Sequence, residues 1–423
     1  MNIEIDIHTV KNTIEKQAFR NGFSQIENSS FLHSLEEQPY FIFSPYLLFE
    51  DSFKHPITNP KKGYVTQVTF RSNGSYENFR YFPLVTNLNL IFSLFSSQYL
   101  TYDEVIRCFD SLIISNFNLN KDNIYWRVPS TNLSLINSLK GNNVIPWPDV
   151  HLDHPIPGIQ EKCTLVKIEY HYNDGLIPIA NLVFIGDKNG KCKLDSVVYL
   201  ERLLFILNNS ASVLDTPYYN SIMVVLKKGL PTASIEDIRY MSLLLRTSLI
   251  LLLEGILPQS RKAGYFTRKY LRDFFKLYLA TQHNNNLMLM VEEILLSISS
   301  ISYDENIAVN KGKLLNVFQQ EFMNYSDMIR KNINLVTKKF KGREKLEPEE
   351  IEKISSTYGV PLELISSQLN LPISIHSKPN LHELGYTYED IKRDFSPVQW
   401  YQDQLDRNIQ FDFTKKEYIE PAK

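Results

Sequence analysis

The chain has 423 residues, 43% apolar and 22% charged, with a net charge of −2. Such a profile fits a soluble globular protein of two or three domains and excludes a bulk-basic nucleic-acid coat, so any RNA contact must come from a local basic patch. Cys108, Cys163 and Cys192 fit no zinc or disulfide spacing, there is no signal-peptide core, and the apolar run 243–257 is broken by Arg246 and Glu254; a cytoplasmic protein with no membrane partner is expected.

In chain order, residues 8–22 predict an opening helix, 40–43 a short strand closed by Ser44-Pro45, and 62–70 a strand rich in β-formers. An Arg-Ser-Asn-Gly-Ser turn signal follows, with Arg71 leading into the loop, and a second apolar run covers 79–95. Residues 101–116 have helical periodicity. Residues 165–172 alternate, with Lys167, Glu169 and His171 on one face, and 177–185 reads as another strand. The stretch LDSVVYLERLLFILNNSASVLDTPYY, 194–219, puts Asp195 at the end of an apolar strand and Arg202 near the start of an amphipathic helix. Beyond it strand signals fade. Helical patterns occupy 236–254, 264–280, 286–300 and 311–337, and a basic hinge at 338–345 precedes a helical pair at 348–369. The tail from about residue 397 shows no strong pattern.

Two constellations carry chemistry. Asp195 and Arg202 sit on either side of a strand-to-helix junction, where the carboxylate can hold a substrate ammonium and the guanidinium fork can clamp a polyphosphate. Arg261, Lys262, Arg268, Lys269 and Arg272 crowd one segment, with Phe266, Tyr270 and Phe274 as its apolar stripe. Arg268 and Arg272 stack one turn apart, so the segment reads as a phosphate-backbone track or as an ordinary solvated helix face.

In order along the chain, six segments resemble the alanyl-tRNA synthetase family, a class II aminoacyl-tRNA synthetase family. They are 28–54, TQVTFRSNG at 66–74, IPIANLVFI at 177–185, LDSVVYLERL at 194–203, 245–275, and STYGVPLEL at 356–364. The resemblance implies an α+β fold, in which an antiparallel class II sheet flanked by helices over 1–218 is followed by an all-helical tRNA-recognition-like domain over 219–396, and then by a tail at 397–423. It implies that Arg71 and Arg202 are the phosphate-binding arginines, and that Asn181 and Asp195 contact the amino acid. It also implies that the basic segment faces a tRNA acceptor stem. ATP with Mg2+ would activate alanine or a small analogue as an aminoacyl-adenylate, passed to a tRNA or another acyl acceptor; no DNA partner is implied.

The departures gather around the pocket. Val197 and Tyr199 stand where the family has glycines, Ala180 where it has tryptophan, and Lys167 and His171 where acids are expected. Ser260 and Ser356 stand where the family has the residues that read the acceptor stem, and no editing domain is expected within these 423 residues. Tyr81 and Phe82 are aromatic candidates for stacking on adenine. The alternative expectation is a catalytically inactive pseudo-synthetase that binds RNA or protein.

Overall fold

The computed structural model describes residues 4–27, 32–35, 38–41, 45–55, 61–70, 86–156, 158–172, 175–210, 212–281, 287–301, 305–343, 345–369, 410–412 and 417–419. Arg71, Tyr81, Phe82 and most of the tail lie outside these residues, as does the 396/397 boundary.

The front half runs α1 (Ile7–Arg20), β1 (Ser24–Gln25), β2 (Leu32–Leu35), β3 (Gln38–Phe41), α2 (Glu50–Lys54), β4 (Lys62–Phe70), β5 (Leu88–Thr101) and α3 (Tyr102–Phe109). It continues with β6 (Ile124–Pro129), α4 (Leu133–Ser138), β7 (Asn143–Trp147), β8 (Cys163–Tyr172), β9 (Gly175–Lys188), β10 (Lys191–Tyr199) and α5 (Leu200–Leu207). Eight strands form one sheet in the order β1-β4-β5-β10-β9-β8-β6-β7. The interior pairs are antiparallel, as expected, and each edge is finished by a parallel neighbour, β1 on β4 and β7 on β6.

Local chemistry explains the central register. β9 and β10 are joined at Asn189-Gly190, with φ of 52° and 73°, the left-handed pair that a two-residue hairpin turn requires. After one register shift, Asn181 comes opposite Val197 and Val183 opposite Asp195. Because strand side chains alternate, Asn181, Asp195, Val197 and Tyr199 then share one face. The opposite face packs on α1 and α5, and Thr66 of β4 donates to Glu15 of α1 at 2.6 Å. On the shared face, Phe95 of β5 lies flat against Phe49, ring centroids 3.9 Å apart. Gly63 makes room for this, since a Cβ there would come within 2.7 Å of the Phe95 ring.

The back half is helical throughout its described length: α6 (Pro217–Gly229), α7 (Ile235–Leu253), α8 (Ala263–Ala280), α9 (Leu287–Ile301), α10 (Glu305–Phe340), α11 (Pro348–Ser356) and α12 (Leu362–Leu369). One continuous apolar core runs from Ile7 and Val10 of α1 through the sheet to Val336 and Ile365. A buried polar junction interrupts it where α7 meets the sheet. Glu201 accepts from the Thr86 hydroxyl at 3.1 Å and the Leu90 amide at 3.4 Å. Arg246 of α7 is the strongest opposing charge on Glu201, and its guanidinium lies 4.2 Å from the Tyr218 ring centroid and 4.8 Å from that of Tyr219. The next residue, Thr247, donates to Asn87 at 2.8 Å. Among the described residues, no helix is long and apolar enough to cross a membrane.

Candidate functional site

Asp195 lies within β10 rather than at its end: the strand continues to Tyr199, and α5 begins at Leu200. Correcting that boundary gives Tyr199 a side-chain direction, the same face as Asp195, where the shorter strand expected from sequence leaves it undefined. Asp195 is 6% exposed, and burial pushes its carboxyl from 3.8 up to about 7, only partly opposed by the Ser196 amide. Its Oδ1 is buried without a hydrogen-bond partner. On the neighbouring strand, the Oδ1 of Asn181 is likewise buried without one. The two residues are diagonal neighbours on adjacent strands, so two unmet acceptors sit within one side chain's reach of each other. Asn181 and its cross-strand partner Val197 are both half-buried, ringed by buried residues on their own strands. The face is therefore reachable from solvent at this point.

Tyr199 ties the remaining pieces together. Its hydroxyl accepts from Asn181 Nδ2 at 3.1 Å, and the Arg202 guanidinium stacks on its ring, 3.8 Å from the centroid. Arg202 also donates to the Pro178 carbonyl at 2.9 Å and is 8% exposed. Lys167 of β8 is the register partner of Asn181, and Arg127 of β6 the partner of Lys167. Arg127 pairs with Glu169 at 2.9 Å and stacks 4.0 Å from the Trp147 ring centroid. The cationic replacement at Lys167 therefore stands beside the candidate amino-acid residues.

Of the four candidates for activation chemistry, the fold brings Asn181 and Arg202 together through Tyr199 and sets Asp195 one step away on the same face. Arg71 is outside the described residues. The basic segment lies on α8 and the turn before it. Arg261 and Lys262 are exposed, whereas Arg268 and Arg272 both reach Glu321 of α10, at 3.4 and 2.8 Å, and Lys269 pairs with Asp273 at 3.1 Å. That turn is tight, since a Cβ on Gly264 would fall 2.4 Å from the Leu257 carbonyl oxygen. Lys262 has a positive φ of 55°, a conformation costly for any residue with a Cβ.

In the sequence Tyr199 is marked only as standing where the family has a glycine, and neither its bonds to Asn181 and Arg202 nor the Glu201–Arg246 junction is expected. A signal for the second was present, because a lone arginine inside the apolar run 243–257 needs a buried partner.

Comparison with known proteins identifies the family. The family described as class II (A) tRNA synthetases matches residues 90–377. The chain is 22% identical over 374 residues to the alanine–tRNA ligase of Picrophilus torridus, covering 72% of this chain and 41% of that protein. It is 24% identical over 233 residues to that of Wigglesworthia glossinidia brevipalpis, covering 51% of this chain and 25% of that protein. It thus spans less than half the length of these relatives. An asparaginyl-tRNA synthetase of Entamoeba histolytica aligns with a TM-score of 0.34 at 10% identity, over 50% of this chain and 65% of that one, a likeness too slight to add weight. The chain belongs to the class II (A) tRNA synthetases, as a divergent member of the alanyl-tRNA synthetase family.

Proposed function

We propose that the chain binds an amino acid by its ammonium group between Asp195 and Asn181, activates it with ATP as an aminoacyl-adenylate, and passes it to a tRNA or another acyl acceptor. The observation that carries this reading is the pair of buried, unmet acceptors on adjacent strands. Leaving either unsatisfied costs about 1–3 kcal/mol, and an ammonium donates to both at once. Alanine or a small analogue fits the resemblance. Arg71 and Arg202 are the proposed phosphate contacts, and magnesium would arrive with the ATP. Activation needs no group to be made or broken on the protein, only positioning and neutralisation of charge. The exposed Arg261 and Lys262, with the rest of the α8 cations behind them, are the proposed acceptor-stem contacts.

Amino-acid-dependent pyrophosphate exchange with ATP, run over the standard amino acids, tests the activation step. Exchange that disappears in Asp195→Ala and Arg202→Ala supports it; no exchange with any amino acid sinks it. The second reading, amino-acid or RNA binding without activation, is favoured by one observation: the guanidinium meant for phosphate is only 8% exposed, with one face under the Tyr199 ring.

A further inference from the structure

Tyr199 touches two of the candidate residues with two different parts of its side chain. The ring lies over the Arg202 guanidinium at 3.8 Å, while that guanidinium also donates to the Pro178 carbonyl at 2.9 Å. Stacking leaves the in-plane N–H groups of a guanidinium unspent, but this one is only 8% exposed, with Nε buried and Nη1 turned to Pro178, so a polyphosphate reaches the planar donor fork only when the ring that covers it moves. The hydroxyl does the opposite for Asn181. By accepting from Nδ2 at 3.1 Å, it fixes which end of the amide is spent and leaves Oδ1, which has no partner, as the end available to a ligand.

We propose that Tyr199 is the specificity-determining residue of this site: its ring occupies Arg202 against phosphate-bearing ligands, and its hydroxyl orients Asn181 for an ammonium-bearing one. The site accordingly takes a free amino acid more readily than it takes a nucleotide. ATP binds only at the cost of lifting the ring, so it is the weak partner in any activation step. The hydroxyl half rests on the amino-acid reading given above; the ring half does not.

The test is titration calorimetry on the full chain, with magnesium-ATP and with the standard L-amino acids as separate probes. Tyr199→Phe keeps the ring and deletes the hydroxyl. It is expected to weaken the best-binding amino acid by about fivefold and to leave ATP affinity where it was. Tyr199→Ala removes the ring and is expected to tighten ATP by roughly tenfold or more. Adding Arg202→Met to Tyr199→Ala should erase that gain. Because Tyr199 is 3% exposed, Tyr199→Leu, which refills the core, serves as the second ring-free variant, and circular dichroism melts establish which variants are folded. Folded ring-free variants that bind ATP no tighter than the native chain overturn the ring half. A Tyr199→Phe chain that loses ATP and amino acid in parallel overturns the division of labour. If no amino acid binds the native chain, the amino-acid reading falls and the hydroxyl half with it, while the ATP titrations still decide the role of the ring.

Discussion

Asp195→Asn is expected to stabilise the protein in alkaline solution while removing its ability to hold an amino acid. Burial lifts the Asp195 carboxyl from 3.8 to about 7, so ionising it inside the fold costs about 4 kcal/mol more than in the unfolded chain. Between those two values the folded state keeps a proton that the unfolded state has lost. Stability therefore falls as pH rises through this window and levels off above about pH 7. An amide does not ionise and escapes that loss. The stability of the variant relative to the native chain should be near zero at about pH 4, grow by about 1.4 kcal/mol per pH unit, and level off near 4 kcal/mol by about pH 8. Urea unfolding followed in half-unit steps across this range measures the difference directly. Glu201, whose carboxyl burial also raises to about 7, titrates in the same window but is common to both proteins and cancels. A difference that stays flat with pH would refute the burial argument. One that falls with pH would mean that the fold relies on the ionised carboxylate.

The same carboxyl makes amino-acid binding pH-dependent: affinity should rise as pH is raised through about 7, with proton release visible as a buffer-dependent heat in calorimetry. Arg246→Met leaves Glu201 buried without its main opposing charge and should cost about 3 kcal/mol in chemical unfolding, whereas adding Glu201→Leu should recover most of it. At the α7–α8 turn, Lys262→Gly relieves the positive φ of 55° and should raise stability by about 1 kcal/mol. Gly264→Ala forces a Cβ to 2.4 Å from the Leu257 carbonyl oxygen and should lower it by about 2 kcal/mol or more. Joint replacement of Arg261 and Lys262 by Glu should weaken binding of an acceptor-stem RNA hairpin and flatten its salt dependence while leaving the melting curve in place. Glu321→Ala, which breaks the contacts of Arg268 and Arg272, should move the melting curve first.

Much of the architecture was legible because periodicity is strong where one face is buried. The strand expected at 62–70 is β4 to the residue, and the helices expected at 236–254 and 264–280 lie within one residue of α7 and α8 at each end. The run expected at 79–95 is seen as β5 only from Leu88, with residues 71–85 outside the described part. β6, α4 and β7 are not expected from the sequence because each has only five or six residues, which gives a weak periodic signal. The candidate site was legible in its residue types but not in its partners. Asp195, Asn181 and Arg202 were named from the resemblance, yet that Tyr199 bonds to two of them depends on how far β10 runs and on the register that the Asn189-Gly190 turn sets. For the basic segment, Glu321 lies far along the chain from Arg268 and Arg272, and nothing local announces it.

β10 is flanked by β5 on one side and β9 on the other, and its pairing with β5 joins Val198 to Phe92. A chain emerging from a ribosome therefore exposes the 14-residue, largely apolar β5 with one edge unpaired until the strand bearing Asp195 and Tyr199 has been made. Edges of this kind are templates for misassembly. A substitution that slows the docking of β10 should register first as lost soluble yield, before any ligand is added. Low yield of an Asp195 or Tyr199 variant thus reports on the timing of sheet closure, and only the fraction that folds reports on the site.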